Sequence, residues 1–157
     1  MEQNNHIIWA ERLCSLRELC PHDVRIKLKI KGVSNEEAER VVAELIRHNF
    51  LNEERYARAF VHDKSRLQGW GPEKIRFALH AKQIPDTFIR KALADIDQSS
   101  QKEALFRLLQ AKRKNVKATS EADLRAKLTR FALSRGYIYD DIVTALSIFD
   151  STFLHDR

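Results

Sequence analysis

The sequence predicts an all-α chain of three tandem three-helix repeats, and three observations carry that prediction. The first is composition. Of 157 residues, 43% are hydrophobic and 32% charged, with only four glycines and three prolines, a balance that favours long helices and is too apolar for disorder. The second is self-similarity. Shifting the sequence by 51 residues lays Val24-Arg25-x-x-Leu28-x-x-Lys31-x-Val33 over Ile75-Arg76-x-x-Leu79-x-x-Lys82-x-Ile84, and then Ala38, Val41, Val42 and Leu45 over Ile89, Ala92, Leu93 and Ile96. A third copy opens at Leu124-Arg125-x-x-Leu128 and, after four extra residues, or about one helical turn, resumes with Arg135-x-Tyr137, Ile142, Ala145, Leu146 and Phe149. The third observation is punctuation: Ser34-x-x-Glu37 and Ser120-x-x-Asp123 resemble capping boxes, Asn52 can cap a helix beginning Glu53-Glu54, Pro72 and Pro85 suit first-turn positions, and Gly32 and Gly136 suit helix exits.

Taken in order, the first repeat (residues 1–50) is expected to hold helices over about 5–20, 22–32 and 35–49. The second (51–98) should hold them over about 53–67, 72–83 and 86–97, and the third (99–157) over about 100–115, 120–135 and 138–150. Val24-Arg25-Ile26-Lys27-Leu28-Lys29-Ile30-Lys31 alternates with a period of two, which read alone is a strand. Its repeat partner Ile75–Lys82 does not alternate, and the third copy places Leu124, Leu128, Phe131 and Ala132 at helical spacing, so helix is the expectation for all three. Tandem units of one pattern stack neighbour on neighbour, which predicts an elongated, curved array.

The polar N-terminal stretch and the absence of a long apolar run predict no signal peptide and no membrane span, and hence a cytoplasmic protein. Cys14 and Cys20 read as small core residues of a reducing compartment. No phosphate-cradling glycine loop, HExxH, GxSxG or paired Cys-x-x-Cys occurs, the six histidines are scattered, and the acidic residues have no nucleophile or base beside them. No enzyme, cofactor or metal is therefore expected.

A formal charge of +6 and a pI near 9.5 point to a polyanionic partner or an acidic protein surface. The charge is segregated. Over the expected bounds the three third helices carry nets of −2, −1 and −3, whereas residues 101–135 hold ten cations against three acids. A helix-turn-helix recognition helix needs donors and cations at its front, so sequence-specific DNA readout is disfavoured, and the cationic first and second helices suit phosphate backbone or acidic protein instead. The candidate contacts are Lys27, Lys31, Arg66, Trp70, Lys74, Arg76, Lys112, Arg113, Lys114, Lys117, Arg125, Lys127 and Arg130. Of these, Lys112-Arg113-Lys114-Asn115-Val116-Lys117 also reads as a solvated helix end, and Trp70, held in Gly69-Trp70-Gly71-Pro72, also reads as a wedge between helices of its own repeat.

Asn52-Glu53-Glu54-Arg55-Tyr56-Ala57-x-x-Phe60-Val61, then Arg66, Gly69-Trp70-Gly71-Pro72-x-x-Ile75-x-x-x-Leu79 and Ile84 resemble the signature of the RecX regulatory proteins, specifically through residues 51–97. Asn52 stands where that family has an acidic residue, and Gln83 where it has glycine. A monomer is expected separately; the resemblance itself implies a modulator of the RecA recombinase that binds RecA and its filament on single-stranded DNA. It would restrain strand exchange and ATP hydrolysis without catalysis, with weak direct DNA binding of its own. The alternative is a general nucleic-acid-binding helical repeat protein independent of RecA.

Overall fold

A computed structural model of the chain describes residues 2–153, and the side chains of residues 4–149. Asp150, counted above among the acids of the third repeat, lies outside the described side chains. The described residues form helices only, in three triplets. The helices are α1 (Glu2–Leu16), α2 (Pro21–Ile30), α3 (Asn35–Arg47), α4 (Glu53–Arg66), α5 (Pro72–Ala81), α6 (Asp86–Ala94), α7 (Gln98–Arg113), α8 (Glu121–Ser134) and α9 (Tyr139–Phe153). By compactness the chain divides into two units, residues 1–60 with 79–92, and residues 61–78 with 93–157. The middle triplet contributes to both.

Most of the expected punctuation is in place. Ser34 accepts the Glu37 N–H at 3.3 Å, Asn52 the Arg55 N–H at 2.9 Å, and Ser120 the Asp123 N–H at 3.1 Å. Only half of the Ser34 box is made, because the Glu37 carboxylate is engaged by Arg40. Pro85 stands one position earlier than expected: α6 begins at Asp86, and the Pro85 carbonyl accepts the Ile89 N–H at 3.2 Å. The two cysteines do not share a helix, since Cys20 sits in extended backbone before Pro21. Burial pushes its thiol up to about 11.

Two helices are shorter than their patterns suggested. The first stops at Leu16, and α6 stops at Ala94, because the Asp97 carboxylate turns forward to cap α7, accepting the Ser100 N–H at 3.2 Å and its hydroxyl at 2.9 Å. Those bonds hold the Asp97 carboxyl below its ordinary 3.8, and the Thr119 N–H followed by the Lys127 ammonium does the same for Asp123. A depressed carboxyl stabilises the fold above its unfolded value and loses that contribution as pH falls through the folded value. Both carboxyls should therefore titrate below 3.8 in a carbon-detected NMR titration; a midpoint at or above 3.8 would mean the cap is not made in solution.

The second helix of every triplet ends in one way. Gly32, Gln83 and Gly136 adopt φ of +87°, +59° and +92°, and the following residue donates its N–H back into the helix: Val33 to Leu28, Ile84 to Leu79 and Tyr137 to Ala132. This is the Schellman closure, with the apolar residue after the left-handed position folded onto the core. Ile84 and Tyr137 are buried accordingly. Gln83 thus adopts the left-handed conformation without being glycine, at a cost of roughly 1–2 kcal/mol. Gln83→Gly should raise stability by about 1 kcal/mol in urea unfolding. No gain would mean that Gln83 makes compensating contacts.

In α2, Val24 and Leu28 lie one turn apart and are fully buried, whereas Ile26 and Ile30 are left 45% and 82% exposed. The strand-like alternation is therefore a helix with one apolar stripe inside and a second outside. In the first unit Val24 and Leu28 join Ala10, Leu19, Ala38, Val41, Val42, Leu45 and Leu51 in one core. Arg55 clamps the turns around it, binding the Glu18 carboxylate and the carbonyls of Asn49 and Phe50. In the second unit Leu105, Leu109, Leu128, Ala132, Tyr137, Ile142, Ala145, Leu146 and Phe149 form the equivalent core.

Candidate interaction surface

The glycine-bracketed tryptophan is first of all a joint. In the second unit the Gly71 N–H donates to the Arg135 carbonyl at 2.7 Å, the Glu73 N–H to the Gly136 carbonyl at 2.9 Å, and the Tyr137 hydroxyl to the Gly69 carbonyl at 3.2 Å. The start of α5 is thus hydrogen-bonded to the turn between α8 and α9. The two backbones approach so closely that a Cβ on Gly71 would lie 2.4 Å from the Gly136 carbonyl carbon, and one on Gly136 would lie 2.4 Å from Lys74 Cβ. Within the first unit the corresponding positions are joined by charge, Lys82 Nζ lying 2.7 Å from Asp23 Oδ1. One junction between successive repeats is built in two chemistries.

Trp70 stands on this joint, half-buried, with Lys64 Nζ 4.7 Å and Lys74 Nζ 4.4 Å from the centre of its ring. The far side of the joint carries further cations. Arg135 lies over Phe131 at 5.2 Å and Lys112 over the same ring at 4.7 Å, while Arg113 lies over Phe149 at 5.8 Å. The sequence-predicted residues Trp70, Lys74, Lys112 and Arg113 therefore fall on one track, linked through Arg135 and Gly136. Lys64 and Arg135 belong to it and were missed: Lys64 reaches Trp70 only across the turn that ends α4, whereas Arg135, four residues after Phe131, was within reach of helical spacing.

The remaining candidates separate by how far they are committed within the protein. Lys127 is held by Asp123 at 3.0 Å and by the Lys117 carbonyl at 2.7 Å, and Arg76 pairs with Glu73 at 3.6 Å. In the first unit Lys31 caps α2 and lies 4.8 Å from the Trp9 ring, and Lys27 is half-buried on the same helix. Arg125 is half-buried on α8, and Arg66 is exposed at the end of α4. Lys114, Lys117 and Arg130 are exposed, and among the described residues they have no acidic side chain within ion-pair distance.

One electrostatic argument from the sequence fails. Asp95 and Asp97 lie beyond α6, which keeps Asp86 against Arg90 and Lys91 and is therefore net +1. The acidic-third-helix argument against groove readout survives for α3 and α9 and is withdrawn for α6.

The profile of the RecX second three-helix domain matches residues 52–93, and that of the RecX third three-helix domain matches residues 100–146. The chain belongs to the RecX family. The regulatory protein RecX of Clostridium botulinum (strain Alaska E43 / Type E3) is 39% identical over 122 residues, 76% of this chain and 56% of the relative. That of Vibrio parahaemolyticus is 31% identical over 141 residues, covering 90% and 89%. The chain thus spans little more than half the length of the clostridial RecX proteins it matches. The crystal structure of RecX from Lactobacillus salivarius superposes with a TM-score of 0.80 at 23% identity over 94% of this chain and 96% of the other, and so shares its fold.

Asn52 caps α4, Arg55 clamps two turns, Tyr56 and Ala57 are buried, and Gly71 makes the joint. Arg55, Tyr56, Ala57 and Gly71 of the RecX signature, with Asn52 in place of the family's acidic residue, build the scaffold. The charged track around them is recognised by placement and not by motif. Among the described residues no helix is long and apolar enough to cross a membrane.

Proposed function

We propose that this RecX chain binds the RecA recombinase, in its filament on single-stranded DNA, and restrains strand exchange and ATP hydrolysis without chemistry of its own. Membership of a family named for regulatory proteins supports the reading. The observation that carries it furthest is the track from Trp70 through the Arg135–Gly136 turn to Phe131, where aromatic rings hold half-buried cations, in a unit whose Lys114, Lys117 and Arg130 are exposed and have no acidic partner among the described residues. Such a surface suits a partner made of acidic protein and phosphate together: long-range attraction speeds docking, and aromatic contacts set residence. Adding the purified chain to RecA on single-stranded DNA should lower ATP hydrolysis in proportion to the amount added. No effect at any ratio would overturn the reading.

The three exposed cations also favour a second reading, direct binding of nucleic acid without RecA. It requires tight binding to bare single-stranded DNA, with affinity falling steeply as salt rises. The regulator reading requires weak binding to bare DNA and stronger binding to the filament. The repeat division at 1–50, 51–98 and 99–157, a monomeric state and a cytoplasmic location are part of the same proposal.

A further inference from the structure

In each joint between repeats, the start of one repeat's second helix meets the exit of the next repeat's second helix. The α2 start meets the α5 exit through Asp23 and Lys82, and the α5 start meets the α8 exit through Gly71 and Gly136. The α2 exit and the α8 start bear the marks of joints left open. Val24 and Ile75 at the two closed starts, and Ile84 and Tyr137 after the two closed exits, are buried. Their equivalents Leu124, at the α8 start, and Val33, after the α2 exit, are only partly buried. Ser120 is exposed where Cys20 and Gly71 are buried, and a Cβ on Gly32 would meet nothing within 4 Å where one on Gly136 would meet Lys74.

The two open halves complement each other. In the repeat register Asp123 stands where Asp23 stands and Lys31 where Lys82 stands, the residues paired at 2.7 Å in the first unit. Ser120 stands where Cys20 does, a side chain of nearly the same size that the closed joint takes at full burial. The other joint chemistry, backbone against backbone, leaves no room for a Cβ at the Gly71 position and so is closed to Ser120. The α8 start therefore carries the acidic half of the first unit's joint, and the α2 exit carries its basic half. The Thr119 N–H and Lys127 both bind Asp123 through Oδ2, so the lone pairs of Oδ1 remain to accept from an incoming lysine.

We propose that the α8 start of one copy docks on the α2 exit of a second copy, pairing Asp123 with Lys31 of that copy and shielding Leu124 and Val33 from water. The contact joins unlike faces, so every copy presents both halves of it. One solvent-accessible ion pair and two small apolar areas make it weak. The chain is a monomer in dilute solution and associates where copies are crowded, as on a shared polymer. No recombinase takes part in the contact, which stands or falls separately from the regulator reading.

Amide NMR spectra of the full chain, recorded without RecA or DNA from about 20 μM to about 1 mM in moderate salt, test it. Signals from Lys31 to Val33 and from Ser120 to Leu124 should move together as concentration rises, and the sedimentation mass should rise with them. Lys31→Glu and Asp123→Lys should each weaken self-association by about fivefold or more. Mixed in equal amounts they should associate to within about twofold of the parent, because the Lys31→Glu copy keeps Asp123 and the Asp123→Lys copy keeps Lys31. A purely structural role for either residue gives no such rescue. If Asp123→Lys lowers the thermal midpoint, Asp123→Asn, which keeps a side-chain oxygen for the Thr119 N–H, takes its place in the mixture. Signals that stay fixed up to about 1 mM overturn the proposal, as do shifts confined to other residues or a mixture that associates no better than either variant alone.

Discussion

Gly71→Ala should destabilise this RecX chain by about 4 kcal/mol, among the largest losses any single substitution causes. The new Cβ would sit 2.4 Å from the carbonyl carbon and 2.5 Å from the carbonyl oxygen of Gly136, and 2.5 Å from the Tyr137 nitrogen. These are backbone atoms, so no side chain can swing aside. The start of α5 must lift from the α8–α9 turn, and the bonds from Gly71 to Arg135 and from Glu73 to Gly136 go with it. Each bond is worth about 1 kcal/mol net, and more where lifting leaves a buried group unpaired. Gly136→Ala should be at least as damaging, because it adds strain at φ +92° to a 2.4 Å approach to Lys74. Gly69→Ala is the control: its φ of +65° is strained, but nothing lies within 4 Å of the added methyl, so about 1 kcal/mol is expected. Urea unfolding of the three variants ranks them. A Gly71→Ala loss below about 1 kcal/mol would show that the joint gives way freely.

Under the proposed regulator function, replacing Lys114, Lys117 and Arg130 together by glutamate should weaken inhibition of RecA by about tenfold or more while leaving the unfolding midpoint almost unchanged. The triple reversal takes the formal charge from +6 to zero. These three are chosen because among the described residues they are exposed and have no acidic partner, whereas reversing Lys112 or Arg113 would also remove a cation from the Phe131 or Phe149 ring. Lys127→Glu makes the contrast, placing like charge beside Asp123 and losing the bond to the Lys117 carbonyl, so it should lower stability as well. The measurement is the amount of chain giving half-inhibition of ATP hydrolysis at low and moderate salt. The parent should lose potency as salt rises and the triple variant should lose less, since it has fewer counterions to exchange. Equal potency at both salts would remove these residues from the contact surface.

The helices were legible where their signals are local. A serine or asparagine cap acts on a backbone N–H three residues away, and a left-handed closure on a carbonyl five residues back, so Ser34, Asn52, Ser120, Gly32 and Gly136 could be found by spacing alone. The end of α6 was not, because Asp97 can continue one helix or cap the next, and its choice depends on Ser100 presenting an N–H and a hydroxyl together. The strand-like Val24–Lys31 run was correctly read only through its repeats. In isolation nothing distinguishes Val24 and Leu28, which are buried, from Ile26 and Ile30, which are not.

The candidate surface was legible as a set of cations but not as a site. Which charges are spent inside the protein depends on partners brought from other elements: the Lys117 carbonyl for Lys127, and the Phe131 ring for Lys112. The three-helix repeat, the family and the excess of positive charge are all carried by periodicity, caps and composition, which are written within a few turns of chain. That Gly71 meets Gly136, that Trp70 is gripped by two lysines and that Phe77 faces solvent emerge only in the folded chain. Each of those depends on side chains and backbones that are distant along the chain and adjacent only once the core has set the distance between them.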